Sequence, residues 1–258
     1  MKLKPRDFIE SIYERHLLRK IRHVPGHIAI IQDGNRRFAR EMGLDISTGH
    51  RLGAQTTEKV LDWAREIGVK HITLYCFSTE NFRRSESELR ELFELFAEKA
   101  IAAASDERVH KNRIRIQMVG DRNLMPADLM EKIERVESLT KNHTEFTINL
   151  AIAYGGRNEI VCATRSILNQ IRQGRLLTED IDSRTIQDNL YSDINIPKVD
   201  LIIRTGNEKR TSNFLPWLAN GNESAVYFCA PYWPLFRKID LLRGVRLYDQ
   251  RFREGHFP

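Results

Sequence analysis

The stretch His27–Arg40, HIAIIQDGNRRFAR, decides the fold. Ile28-Ala29-Ile30-Ile31 is a short apolar run of the kind that fits a strand buried on both faces. It stops at Gln32-Asp33-Gly34-Asn35. Gly34 permits a tight turn, and Asn35 is a good helix N-cap. Arg36-Arg37-Phe38-Ala39-Arg40 then reads as the first turns of a helix. A strand that turns through glycine into a helix N-terminus offers free N–H groups and a helix dipole to an anion. Arg36 and Arg37 add positive charge to it. A carboxylate beside a phosphate is repulsive unless a cation lies between them, so Asp33 points to Mg²⁺. A solvated turn with surface arginines explains the same residues, and this stretch alone does not choose.

Outward from it the pattern repeats. Apolar runs at 72–78, 114–119, 146–154, 199–204 and 225–229 read as strands. Helical periodicity covers 4–22, 53–67, 86–104, 126–139, 157–172, 178–191 and 238–252, with 44–50 a polar loop. Ser85 or Ser87 caps the helix 86–104. This alternation predicts an α/β fold: a central, mostly parallel, six-stranded sheet flanked by helices, in one domain spanning 1–258. Residues 1–22 form an N-terminal amphipathic segment with Phe8, Ile9, Ile12, Leu17, Leu18 and Ile21 among basic residues. Such a helix lies on a membrane surface or packs on its own domain. The run Ala100–Ala104 either packs closely or leaves space.

The 258 residues carry a formal charge of +6, which favours phosphates, nucleic acid or an anionic membrane as partners. The three cysteines, Cys76, Cys162 and Cys229, are far apart and form no metal motif. No apolar run reaches the roughly 18–20 residues that cross a membrane. A secretory signal pattern is not evident. A cytoplasmic protein is expected, with at most peripheral membrane contact.

In a parallel sheet the functional loops lie at the carboxyl ends of the strands. Those loops read DGNRR, STENFRR, YGGR and RTGNEKRTS. Arg36, Arg37, Arg84, Arg204 and Arg210 are therefore expected at one edge, enough to hold two diphosphates through bidentate forks. There is no G-x-x-x-x-G-K-[ST] loop and no G-x-G-x-x-G after the first strand. No helix carries the DDxxD of all-α prenyl synthases. A Ser-His-Asp reading of Ser78 and His50 lacks a nucleophile elbow.

HIAIIQDGNRRFAR, the pair Gly49-His50, LYCFSTENFRR, NLAIAYGGR and LIIRTGNEKRTSNF together resemble the cis-prenyltransferase family of the undecaprenyl diphosphate synthase type. The resemblance spans about residues 23–255. It implies Mg²⁺-dependent transfer of an allylic prenyl diphosphate, usually onto isopentenyl diphosphate, with formation of Z double bonds. It also implies an apolar tunnel for the prenyl chain and, through Arg253-Glu254-Gly255, a homodimer. Asp33 matches the metal-handling aspartate, and Asp33, His50 and Asn81 are the catalytic candidates. Gly34, Asn35, Arg36, Arg37, Phe38, His50, Ser78, Asn81, Phe82 and Arg84 are substrate-binding candidates: the resemblance implies that the turn Gly34-Asn35 with Arg37 holds a diphosphate and that Arg84 is on the allylic diphosphate side. Arg204, Arg210 and Ser212, with Arg37, match the acceptor site.

Four positions depart from the family pattern. Ile46 stands where an arginine is typical and Arg36 where a glycine is, so Arg36 could restore the charge lost at Ile46. Phe82 replaces a tryptophan. Ala225 replaces a glutamate that ligates Mg²⁺, and Glu223 is the expected substitute. Altered donor, acceptor or regiochemistry is one alternative. A regulatory partner subunit is another, although such partners usually lack the Asp33 and Arg204-type residues kept here. A nucleic-acid binder would interleave aromatics with its basic patch. Here the basic residues sit at glycine turns, so nucleic acid is not an expected partner.

Overall fold

The structure, a computed structural model, describes residues 5–190, 194, 196–219 and 223–256, with side chains from residue 10 onward. Helix α1 (Pro5–Lys20) leads to strand β1 (His27–Ile31), α2 (Asn35–Glu41) and α3 (Ile46–Glu66). Strand β2 (His71–Ser78) is followed by α4 (Glu86–Ser105) and the short α5 (Glu107–Lys111). Next come β3 (Ile114–Val119), α6 (Ala127–Thr140), β4 (Phe146–Tyr154) and α7 (Gly156–Arg172). The chain closes with α8 (Ser183–Asn189), β5 (Leu201–Arg204), β6 (Ala225–Phe228) and α9 (Lys238–Arg253).

The strands form one six-stranded sheet in the order β3-β4-β2-β1-β5-β6, every neighbouring pair parallel. All five β1 residues are buried, as a strand covered on both faces requires. Ile28 and Ile30 pack on one face with Val60, Ala64 and Leu241. Ala29 and Ile31 pack on the other with Ala163, Leu215 and Leu218. The alternation follows from the two-residue period of a strand.

Three sequence expectations change here. The segment 44–50 is not all loop: α3 begins at Ile46 and carries Gly49, His50 and Gly53. A Cβ on Gly49 would lie 2.5 Å from the Asn35 carbonyl, and one on Gly53 2.4 Å from Asn35 Oδ1. The glycines let α3 press against α2, and that packing outweighs their poor helix propensity. The N-cap of α2 is Gly34, not Asn35, with φ at +110°. A Cβ there would also meet the Tyr232 ring at 2.6 Å. The segment 178–191 keeps only a single turn at Thr178–Asp180 and α8, and Tyr191 falls outside the described residues.

Leu17 of α1 is fully buried against Ile239 and Leu242 of α9, with Tyr13 and Ile21 beside it. Ile12 and Leu18 face solvent. The side chains of Phe8 and Ile9 lie outside the described residues.

A buried polar chain crosses four strands. Gln117 Nε2 donates to Asn149 Oδ1 (2.6 Å), and Asn149 Nδ2 donates to Thr73 Oγ1 (2.9 Å). Thr73 Oγ1 lies 2.7 Å from His27 Nε2, and His27 Nδ1 faces the Pro197 carbonyl at 2.9 Å. Nδ1 therefore carries the proton, and Nε2 accepts from Thr73. Burial holds the His27 pKa down at about 4, against an ordinary 6.5. Between those values the unfolded chain binds a proton that the folded chain does not. Stability is expected to be full above about pH 6.5 and to fall by up to about 3 kcal/mol as pH drops toward 4. Urea unfolding across that range, compared with a His27→Gln variant that lacks this slope, checks it.

Candidate active site

The carboxyl ends of β1, β2, β4 and β5 lie at one sheet edge, because their registers align Ile31 with Tyr75 and Arg204 and Ser78 with Tyr154. Asp33 follows β1 there. Its Oδ2 accepts from Arg204 Nη2 at 2.8 Å, and its Oδ1 lies 3.2 Å from Arg37 Nη2. Its backbone is fixed as firmly. Thr205 Oγ1 accepts from the Asp33 N–H (2.9 Å) and donates to the Asp33 carbonyl (2.7 Å). The Trp233 N–H donates to the same carbonyl at 3.0 Å. Tyr232 places its ring 5.3 Å from the Arg37 guanidinium carbon.

Arg204 is the most enclosed of the arginines, its side chain 5% exposed. Nη1 donates to the Arg210 carbonyl (2.6 Å) and to Ser212 Oγ (2.5 Å), while the buried Nε has no hydrogen-bond partner. Arg210 points outward and pairs with Glu208 at 3.3 Å. Glu208 also lies 3.6 Å from Arg37.

A second cluster surrounds Glu88, a buried residue of α4. Its Oε1 accepts from Arg84 Nη1 (3.0 Å), lies 3.3 Å from His50 Nε2, and lies 3.6 Å from Arg36 Nε. Burial lowers the His50 pKa, so the ring is neutral near pH 7 and donates Nε2–H to Glu88. Burial also works against the Arg84 charge. The Nε atoms of Arg36 and Arg84 and Oδ1 of Asn35 are buried without hydrogen-bond partners. Guanidiniums with unmet donors suit an incoming anion.

Between α3, α4 and the sheet lies an apolar cavity of about 340 Å³. Gln32, Asn35, His50 and Trp233 line it nearest the charged edge. Trp233 Nε1 donates to the Gly53 carbonyl at 2.9 Å, and Gln32 Nε2 to Thr57 Oγ1 at 2.8 Å. Phe82 joins Phe77 and Phe93 in an aromatic cluster. Ser78 donates its N–H to Asn81 Oδ1 at 3.1 Å, which folds the loop after β2. Phe38 is buried.

The family whose sequence model matches residues 31–255 is described as "Putative undecaprenyl diphosphate synthase". The chain belongs to this cis-prenyltransferase family. It is 49% identical over 247 residues to a tritrans,polycis-undecaprenyl-diphosphate synthase (geranylgeranyl-diphosphate specific) of Methanosarcina mazei. That match covers 95% of this chain and 82% of the relative. The like-named protein of Archaeoglobus fulgidus is 49% identical over 95% of this chain and 97% of its own. Among solved structures, lavandulyl diphosphate synthase from Lavandula x intermedia, in complex with dimethylallyl diphosphate, superposes with a TM-score of 0.82. It is 33% identical and the match covers 88% of this chain and 95% of that one. This chain is accordingly a prenyltransferase that works on prenyl diphosphates.

The expected arginines meet at one edge but divide into two groups, one on Asp33 and one on Glu88. Glu223 does not join them. It sits before β6, whose Ala225 pairs with Leu201 at the start of β5, so it occupies the opposite sheet edge and faces Lys198 at 3.2 Å. Within one copy Glu223 cannot share a metal with Asp33, because the two lie at opposite ends of the strands. Glu88, Glu208, Thr205 and Tyr232 were not among the expected site residues. Only Glu88 carries a sequence signal, its i,i+4 spacing from Arg84. Arg204→Ala leaves Asp33 and Ser212 without their shared donor and is expected to cost about 2–4 kcal/mol in kcat/KM. Steady-state kinetics against both substrates measure it, and an unchanged kcat/KM removes Arg204 from the site.

Proposed function

We propose that this enzyme transfers an allylic prenyl diphosphate, with geranylgeranyl diphosphate the leading donor, onto isopentenyl diphosphate with formation of a Z double bond. The observation that carries this reading is the junction at Asn35 and His50, where guanidiniums with unmet donors stand at the mouth of an apolar cavity. A prenyl diphosphate divides in the same way between a polyanionic head and an apolar tail. The names of the archaeal relatives support the donor choice.

Arg36, Arg84 and His50, with the N–H groups that follow Gly34, suit the donor diphosphate. Arg36 is where the family pattern has glycine, and it offers the cation that Ile46 cannot. Arg204, Ser212, Arg210 and Arg37 suit the acceptor diphosphate. The oxygen donors at Asp33 fit Mg²⁺, which takes one or two carboxylates and completes its shell with substrate phosphates and water. Asp33 would hold it, with Glu208 the next carboxylate, reached through Arg37. Bound there, Mg²⁺ would neutralise charge on the leaving diphosphate. The donor C–O bond breaks with its electron pair leaving on the diphosphate, the acceptor alkene forms the new C–C bond, and the proton lost from the acceptor passes to an oxygen of the released diphosphate. The side chains supply charge stabilisation and orientation rather than a nucleophile. A homodimer belongs to the same proposal, on the Arg253-Glu254-Gly255 ending alone.

Purified protein, Mg²⁺, isopentenyl diphosphate and a panel of allylic diphosphates decide the reaction by mass spectrometry of the products. Products lengthened by isopentenyl units, lost on chelation, are expected. No elongation with any donor overturns the reading. Arg36→Ala is expected to raise the donor KM about ten-fold, with the acceptor KM unchanged, if Arg36 holds one donor phosphate.

A further inference from the structure

Gln32 carries an amide into the wall of the apolar cavity. It continues the side of β1 that bears Ile28 and Ile30, and it lines the mouth with Asn35, His50 and Trp233. An amide in such a wall gives up water and needs partners in return.

The hydrogen bonds fix which end of the amide points where. Thr57 Oγ1 donates its single proton to the Gly53 carbonyl at 3.0 Å, one turn back on α3. Its lone pairs then accept from Trp233 Nε1 at 3.2 Å and from Gln32 Nε2 at 2.8 Å. A reversed amide would set two acceptor oxygens against each other, so Nε2 faces Thr57 and Oε1 faces away from it. The donor that meets Oε1 is the Cys76 thiol, with Sγ 3.8 Å away, a long contact from a weak donor. Burial pushes the pKa of that thiol up to about 12, so it stays protonated and supplies no thiolate to attack a cation. The oxygen end of the amide dipole is thus held firmly and poorly used.

With the diphosphate on Arg36, Arg84 and His50 and the tail in the cavity, the isoprene unit that joins them crosses the mouth beside Gln32. That unit carries the bond that breaks. As the C–O electron pair leaves with the diphosphate, positive charge spreads over C1 and C3 of the allyl group. The guanidiniums that hold the head repel this charge, whereas a carbonyl dipole fixed beforehand attracts it without reorganising. Gln32 forms no bond in the step, since the acceptor alkene supplies the electron pair of the new C–C bond.

We propose that Gln32 is a catalytic residue whose Oε1 stabilises the allylic cation, with Thr57 the positioning residue that aims it. The proposal rests on the donor placement above.

Two unreactive donor analogues separate this role from packing. One is geranylgeranyl S-thiolodiphosphate, uncharged along its chain. The other carries a protonated tertiary amine in place of C3 and so mimics the cation. Their dissociation constants are measured at about pH 8 with Mg²⁺ for the native enzyme, Gln32→Met, Gln32→Glu and Thr57→Val. Gln32→Met keeps the length and removes the dipole. It is expected to weaken the ammonium analogue about ten-fold, the scale of one polar contact to a charge, and the thiolo analogue by less than about two-fold. Gln32→Glu shifts the ratio of the two affinities the other way, toward the ammonium analogue. Thr57→Val, which frees the amide to turn, loses about three-fold of the native preference. Single turnover of geranylgeranyl diphosphate with isopentenyl diphosphate slows about ten-fold in Gln32→Met. Equal weakening of both analogues in Gln32→Met, or a ratio that moves in the same direction in Gln32→Met and Gln32→Glu, overturns the cation role and leaves Gln32 a packing residue. An unchanged ratio in Thr57→Val removes Thr57 from it. No condensation by the native enzyme with any allylic donor overturns the elongation reading itself, a result distinct from native condensation with an unaltered analogue ratio in Gln32→Met.

Discussion

The carboxylate of Asp33 is held between two guanidiniums that come from different elements, Arg37 of α2 and Arg204 at the end of β5. Without this carboxylate the two guanidiniums would repel each other at this edge. Their shared counter-ion makes the pair tolerable, and it ties the first βα turn to the fifth strand end. The backbone repeats the tie through Thr205 and Trp233. Gly206, at φ +78°, completes it: a Cβ there would lie 2.6 Å from Arg37 Nη2. Two guanidiniums against one carboxylate leave this edge with net positive charge.

The loop after β5 is held in a costly shape. Ser212, Asn213 and Leu215 all have positive φ, at 49°, 59° and 48°. Left-handed backbone costs a non-glycine residue about 1–3 kcal/mol unless its surroundings over-determine it. Here they do. Arg204 reaches the Arg210 carbonyl and Ser212 Oγ, and Arg157 and Gly156 donate their N–H groups to Asn213 Oδ1 and to the Asn213 carbonyl. A Cβ on Gly156 would lie 2.1 Å from Pro216, so the YGGR turn has to present bare backbone. The conformation of one loop therefore depends on the glycines of another, across the sheet edge.

The sheet, its parallel direction and the edge that carries the arginines were legible because strand burial and βα alternation are local and periodic. Asp33 and Arg204 were legible because they sit at strand ends, and Ser212 because it belongs to the loop that follows β5. What sequence could not carry was pairing across long separations. Glu88 reads as an ordinary helix-face glutamate until α4 is laid beside α2 and α3. Tyr232 carries no signal, because its role is to stack on Arg37 and to fill the space over Gly34. The start of α3 was missed because Gly49 and Gly53 look like loop residues until α2 is seen packed against them. Glu223 was misplaced for the converse reason. A two-residue offset looks minor in a sequence, yet the carboxylate it selects precedes β6 and so falls at the wrong edge.

Helix α3 joins the two halves of the problem. At its N-terminal end Gly49 and Gly53 allow α2 to approach closely, which sets Asn35 beside His50 where charged edge and apolar cavity meet. His50 projects from the same turns and reaches Glu88 on α4, so α3 and α4 are pinned to each other at the mouth. Further along, Thr57 takes up the Gln32 amide, Ala64 packs into the core, and the exposed Glu58–Lys99 and Asp62–Arg108 pairs reach α4 and α5. α3 is thus tied to α4 by a buried contact at the charged edge and by an exposed ion pair on its outer side.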